Sequence, residues 1–140
     1  MARTLLICLL AFIWGNSLMP GEVSGAISNW VKDWLARIFP LGLETAGGSG
    51  HLIRKLAHFT EFAALGATLG WLFGMLQKGK LRPFACGVLA ASIDETIQRF
   101  VPDRGPSGKD VLLDSCGVLA GMILLYAGHT YFKNIRRKTK

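Results

Sequence analysis

The sequence is poor in charged residues and in cysteine, and these deficits narrow the class of protein. Only 18% of the 140 residues are charged, whereas soluble domains carry roughly 25%. The three cysteines form no CxxC pair and each lies within an apolar stretch, so the sequence predicts no disulfide framework. An HExxH motif, an EF-hand loop, a Gly-rich phosphate loop and a serine-nucleophile motif are also missing from the sequence. We therefore predict no metal ion and no cofactor.

What the sequence does contain is hydrophobic residues, which form 51% of the chain and are gathered in four blocks. The blocks predict transmembrane helices at residues 4–19, 56–76, 81–100 and 111–131, because about 20 apolar residues cross a bilayer. The first block follows Arg3 and also resembles a signal peptide. No clear cleavage site follows it, so we interpret it as a retained helix.

The distribution of charge predicts the orientation of these helices. If the N-terminus is cytoplasmic, nine basic residues and no acidic residue fall on the cytoplasmic side, at Arg3, in the loop 78–82 and in the tail 133–140. This asymmetry follows the positive-inside rule, and it predicts a multi-pass protein with cytoplasmic N- and C-termini. The formal net charge is +7, but the basic residues flank apolar blocks, so we do not expect a nucleic-acid partner.

A different kind of helix is predicted between the first two blocks, over residues 24–39. Apolar residues recur there at helical spacing, namely Val23, Ile27, Trp30, Val31, Trp34, Leu35 and Ile38. Ser24 is a candidate N-cap, and the two tryptophans suit the headgroup region of a bilayer. We therefore predict an interfacial helix on the outer, extracytoplasmic surface, with a re-entrant segment as the alternative.

Glycines recur every four residues in two of the blocks, as Gly66, Gly70 and Gly74 and as Gly117 and Gly121. In lipid, small residues at this spacing let helix backbones approach closely. The pattern predicts close helix packing, either within one chain or between copies in a homo-oligomer.

Charged residues near one end of the predicted spans are the strongest functional signal. A charge inside a span costs roughly 2.5–3.5 kcal/mol on insertion scales, so it indicates a partner or a function. We predict that these residues converge on one polar pocket in the outer leaflet. The catalytic candidates are His58, Glu61 and Asp94; the ligand-binding candidates are Arg54, Lys55, Glu95, Gln98, Arg104, Asp110 and Asp114, with Arg99 and Lys109 completing a basic rim.

Spacing within each helix supports this hypothesis. His58 and Glu61 are three residues apart, and Asp94 and Gln98 are four apart, so each pair can touch. His58 with Glu61 could act as an acid/base pair, while basic side chains beside carboxylates can bind a phosphate or a sugar. A metal is less favoured, because no second histidine lies in the cluster.

Ser107 opens a capping-box pattern that can start the fourth helix.

Three motifs occur in a fixed order between Arg54 and Gly117. They read Arg54-Lys55-x-x-His58-Phe59-x-Glu61-Phe62, then Asp94-Glu95-x-x-Gln98-x-Phe100-x-Pro102-x-Arg104, then Asp110-x-x-x-Asp114-x-x-Gly117. In this order they resemble the VanZ-like family, from Arg54 to Gly121, which leaves the interfacial helix outside the resemblance. The family often has Asn where this chain has Asp114.

The resemblance implies a small helical protein of the bacterial cytoplasmic membrane. The namesake of the VanZ-like family is associated with resistance to teicoplanin, a glycopeptide antibiotic that binds cell-wall precursors outside the cell. The expected function is therefore to bind or handle an amphiphilic cell-envelope ligand, such as a lipid or a lipid-linked precursor, at the outer pocket. A link to teicoplanin resistance is part of this expectation.

Taken together, the sequence predicts an all-α integral membrane bundle of four transmembrane helices with one extracytoplasmic interfacial helix, in a single domain over residues 1–140. Two alternatives to ligand binding remain open. One is a membrane-embedded hydrolase or transferase that uses His58 with Glu61 or Asp94 as acid and base. The other is a purely structural charge network that fixes helix packing.

Overall fold

The computed structural model describes residues 2–38, 49–74, 79–105 and 107–138. These residues form five α-helices and no strand, so the predicted all-α class is confirmed. The helices are α1 (Ala2–Ser17), α2 (Gly21–Ile38), α3 (Ser49–Leu72), α4 (Leu81–Gln98) and α5 (Gly108–Lys138). The predicted ends of the interfacial helix at Phe39 and of the second span at Leu76 lie outside the described residues.

Helix α3 is the centre of the bundle, because it packs against each of the other four helices. A continuous apolar core lies around it. The core residues are Ile13, Phe62, Leu65, Leu69, Ala90, Ala91, Val118 and Met122, contributed by α1, α3, α4 and α5. Burial of these side chains removes apolar surface from the surroundings and holds the four helices in one unit.

The backbones of α3 and α5 are in direct contact. A methyl group added at Gly66 would overlap the backbone of Val118, and one added at Gly121 would overlap the backbone of Ala63. Only glycine allows this approach, because any Cβ atom would have to displace main-chain atoms. The predicted close packing is therefore formed within one chain.

Two further glycines of the pattern have different roles. At Gly117 an added Cβ would lie 2.6 Å from the carbonyl oxygen of Phe59, so this residue also belongs to the α3–α5 contact. Gly74 has a φ of +59° and no atom near its Cβ position. It follows the end of α3 in a conformation that favours glycine, and the prediction that it packs against another helix is wrong.

The surface of the bundle is strongly apolar. Large apolar side chains point outward on α1, α4 and α5, among them Ile7, Phe12, Leu81, Leu89, Leu124 and Phe132. Large exposed apolar patches are typical of contact with a partner or a membrane.

Helix α5 is the only described helix that is long and apolar enough to cross a membrane unaided, and its most apolar 18-residue stretch has a mean hydropathy of 1.8. Only 28% of its most apolar stretch is buried, whereas the core helix of a soluble protein would be mostly buried. Helices α1 and α2 reach the length and hydropathy of a membrane span only when they are taken together, and the chain bends by 106° between them. Helices α3 and α4 fall short because they carry polar and charged residues. The helices alone therefore do not establish four spans.

Helix α2 packs on α3 and presents its apolar face outward. Ser28 is buried, whereas Trp30 and Trp34 are 67% and 52% exposed. The other outward apolar residues are Val23, Ile27 and Ile38. In a soluble protein an amphipathic helix turns this face to the core, whereas here the orientation is inverted and the apolar stripe is exposed.

The predicted start of α2 needs correction. The helix begins at Gly21, and the backbone N–H of Ser24 donates to the carbonyl oxygen of Pro20 at 3.0 Å. Ser24 is therefore inside the first turn and is not the N-cap. Pro20 precedes the helix directly, a position where its missing N–H costs nothing.

Candidate functional site

Four helices meet at one end of the bundle, where α1 and α4 finish and the first halves of α3 and α5 lie. We call this the site end. Its polar residues, the site cluster, are Asn16, Ser17, His58, Glu61, Asp94, Glu95, Gln98, Arg104, Asp110 and Asp114. Six of them are buried: Ser17, Asp94, Glu95, Gln98, Arg104 and Asp114. Buried polar side chains need partners, so the contacts within the cluster determine what it can do.

His58, Asp94 and Asp114 form the centre of the cluster and come from three different helices. One nitrogen or oxygen atom of each residue lies within 4.8 Å of the corresponding atoms of the other two. His58 Nδ1 is 3.9 Å from Asp94 Oδ2, which is beyond hydrogen-bond range. Asp94 and Asp114 are 0% and 2% exposed. Two carboxyl groups and an imidazole thus face one another away from bulk solvent.

Gln98 holds Asp94 in place. Its Nε2 atom donates to Asp94 Oδ2 at 2.9 Å, one helical turn away, and lies 3.2 Å from Ser17 Oγ. The predicted contact between Asp94 and Gln98 is therefore confirmed. The link to Ser17 also joins the ends of α1 and α4.

Glu61 is engaged by α1. Its Oε1 atom accepts a hydrogen bond of 2.9 Å from Asn16 Nδ2. Among the described residues, the carboxylate within ion-pair range of His58 is that of Asp94, so the predicted acid/base pair of His58 with Glu61 is not formed. Spacing of three residues makes a contact possible, but packing against neighbouring helices turns the two side chains to different partners.

Glu95 and Asp110 anchor the connection between α4 and α5. The backbone N–H of Ser107 donates to Glu95 Oε1, and Lys55 Nζ lies 2.9 Å from Asp110 Oδ1. Helix α5 begins at Gly108, directly after Ser107, as the capping-box pattern predicted. These contacts hold the start of α5 against α3 and α4.

Arg104 caps α1 instead of pairing with the acids. Its Nη1 and Nη2 atoms donate to the carbonyl oxygens of Ser17 at 3.3 Å and Asn16 at 3.2 Å. The last carbonyls of a helix lack partners within the helix, and a cation there also opposes the helix dipole. Burial lowers the pKa of the Arg104 guanidinium, Arg54 lowers it further, and nearby carboxylates oppose the shift. The hypothesis that Arg104 is the cation of the acidic cluster is therefore corrected: it positions α1.

A small cavity of about 20 Å³ lies beside the central acids. It is lined by His51, Arg54, Lys55, His58, Gln98, Asp110, Leu113 and Asp114. A cavity of about 10–15 Å³ holds one water molecule, so this one admits a single water-sized occupant. Arg54 and Lys55 supply positive charge at its wall.

Some predicted residues lie apart from this centre, and two residues of the cluster were not predicted. Arg99 and Lys109 are exposed and line no part of the cavity. The unpredicted residues are Asn16 and Ser17, which contact Glu61 and Gln98. The one sequence feature that could have indicated their role is that two adjacent polar residues stand at the end of an apolar helix.

Fold and site together define a class of protein: a helical bundle with an apolar exterior and with acids and bases buried at one end. Ionisable groups placed in this way mark functional sites in integral membrane proteins. The profile of the VanZ/LLP1 family matches residues 3–130, and the chain belongs to this family of membrane proteins. The family match covers nearly the whole chain and includes α2, which the sequence resemblance had left out. Neither the curated proteins nor the solved structures give a match to the chain.

Proposed function

We propose that the chain crosses the bacterial cytoplasmic membrane four times, through α1, α3, α4 and α5, with the site end facing outward. The direction of the helices supports this topology, because α1 and α4 end at the site end while α3 and α5 begin near it. The described basic residues Lys80 and Arg82, at the start of α4, and those from Lys133 to Lys138, at the end of α5, lie at the other end of these helices. Helix α2, with its outward tryptophans, then lies at the outer lipid interface.

On this topology the site cluster is a polar site for the head group of an amphiphilic cell-envelope ligand. The observation that carries the proposal is the convergence of His58, Asp94 and Asp114 beside a cavity whose wall includes Arg54 and Lys55. Basic side chains bind phosphate or carboxylate groups through charge-assisted hydrogen bonds. The cavity is too small to enclose a head group, so the ligand lies across its mouth with its apolar chains in the membrane.

Native mass spectrometry of the protein extracted in a mild detergent tests this proposal. We expect the wild-type protein to retain an amphiphile with a phosphate, sugar or peptide head group. Arg54→Gln removes a cavity-wall cation and should reduce the retained fraction, whereas Arg99→Gln removes an exposed arginine outside the cavity and should not. Loss of the amphiphile to the same extent in both variants, or the same bulk phospholipids on all three proteins, would contradict the proposal.

A hydrolase or transferase acting on such a ligand is the second candidate. It is favoured by the imidazole of His58, which faces a buried carboxylate and could transfer protons near neutral pH. When the wild-type protein is incubated with its retained amphiphile, mass spectrometry should then detect a product of new mass. The His58→Ala protein should not form this product.

Family membership also supports a link to teicoplanin resistance. Expression in a sensitive bacterium should raise the teicoplanin concentration needed to stop growth, and Asp94→Asn should abolish the increase. If Asp94→Asn and His58→Ala proteins insert, fold and protect cells as the wild type does, the charges serve only to pack the helices.

A further inference from the structure

The centre of the site cluster has the composition and spacing of a metal centre. His58 offers an imidazole nitrogen, and Asp94 and Asp114 each offer a carboxylate oxygen, with the three atoms within 4.8 Å of one another. Metal–ligand bonds of about 2.0–2.2 Å place two ligands of one ion at most about 4.3 Å apart. A small rotation of the side chains would therefore bring all three atoms into one coordination shell.

Two of these residues are buried and incompletely partnered. Asp94 Oδ1 and Asp114 Oδ1 have no hydrogen-bond partner in the described part of the chain, and neither does His58 Nδ1. Buried polar atoms left in this way are costly. Two nearby cations have other partners, since Lys55 pairs with Asp110 and Arg104 donates to the carbonyls of α1.

The surroundings suit an ion in two further respects. The adjoining cavity of about 20 Å³, lined by His58 and Asp114 among others, has room for one water-sized occupant. Gln98 donates to Asp94 Oδ2, which leaves Oδ1 available as a ligand. Hydrogen bonds of this kind from outside the coordination shell orient ligands in established metal sites.

We propose that His58, Asp94 and Asp114 bind one divalent transition-metal ion of the Zn²⁺ or Mn²⁺ kind. Imidazole suits zinc, and carboxylates suit manganese and zinc, whereas calcium and magnesium prefer oxygen ligands alone. The ion neutralises two carboxylates that would otherwise repel each other in a buried position. This inference replaces the expectation of no metal, which depended on the missing metal-binding motifs and on the lack of a second histidine in the predicted cluster.

Metal binding is tested with the full chain in mild detergent, stripped with a chelator and then given Zn²⁺, Mn²⁺ or Ca²⁺ alone. After removal of free metal, we expect about one Zn²⁺ or Mn²⁺ per chain by elemental mass spectrometry. We also expect a rise in Tm of several degrees, because the ion binds only the folded protein. Ca²⁺ should produce neither effect. Bound Mn²⁺ should give an electron paramagnetic resonance spectrum that differs from that of free Mn²⁺.

Asp94→Asn should lower metal retention at least tenfold, and His58→Phe, which keeps an aromatic ring but no nitrogen, should do the same. The control is Asp33→Asn, which removes an exposed carboxylate on α2 and should retain metal like the wild type. If Asp94→Asn does not fold, His58→Phe decides the outcome. No retained ion in the wild type, equal retention in His58→Phe and Asp33→Asn, or equal stabilisation by Ca²⁺ would overturn the proposal. Because no amphiphile is used, these results do not depend on the proposed function.

Discussion

Substitution of Gly121 by alanine tests the backbone contact between α3 and α5. The added methyl group would overlap the main chain of Ala63, including its carbonyl oxygen. A flexible side chain could move aside, but a helix backbone can do so only by shifting the whole helix. Relief of the overlap therefore separates α3 from α5 and weakens the apolar core between them.

A matched substitution isolates the energy of this contact. Gly128 lies in the same helix, and a Cβ atom there would meet nothing within 4 Å. Both Gly→Ala changes gain about 1 kcal/mol of helix propensity, so this gain cancels when the two variants are compared. Overpacking a close contact costs about 1–3 kcal/mol, and that is the expected difference in the free energy of unfolding between them.

Thermal unfolding in detergent measures the difference. A change of 1 kcal/mol shifts Tm by about 3 °C for a chain of this size, so Gly121→Ala should melt about 3–9 °C below Gly128→Ala. Gly128→Ala itself should melt at or above the wild-type temperature. Equal Tm values for the two variants would show that α3 and α5 are not held by direct backbone contact, and the packing argument would fail.

Three further predictions follow from the contacts described above. A reporter fused after Lys138 should be active only in the cytoplasm; activity only in the periplasm would invert the proposed topology. Quenchers placed at the lipid headgroups should reduce the fluorescence of Trp30 and Trp34, and a Trp30→Phe, Trp34→Phe double variant should lose that response; full protection would place α2 away from the interface. Arg104→Gln should lower Tm by several degrees, because about 1–3 kcal/mol is lost when a buried carbonyl loses its donor; an unchanged Tm would exclude the capping role.

The sequence predicted the helices better than their contacts. The outward stripe of α2 and the apolar run of α5 are local patterns, so periodicity and length were enough to find both helices. The partner of His58 could not be found in this way, because it is Asp94 on another helix. Spacing along one helix determines which residues share a face, whereas the rotation of one helix against the next depends on packing across the whole core.

The contacts at the end of α1 also lie between helices and could not be predicted from local patterns. A polar pair at the end of an apolar block has no distinguishing pattern, so Asn16 and Ser17 carried no visible role until Glu61 and Gln98 were placed beside them. Arg104 was assigned to the acids because opposite charges attract. The structure instead shows its guanidinium at helix carbonyls, which no sequence pattern distinguishes from an ion pair.

The order of the polar contacts along the chain has a consequence for biogenesis. On the proposed topology the four spanning helices enter the bilayer in chain order, and the charged helices α3 and α4 are poorly hydrophobic alone. Glu61 finds Asn16 on the helix made before it, and Gln98 likewise finds Ser17. Both α3 and α4 are therefore made after α1, which carries their polar partners, is already in the membrane. A nascent chain lacking α1 should leave α3 outside the bilayer.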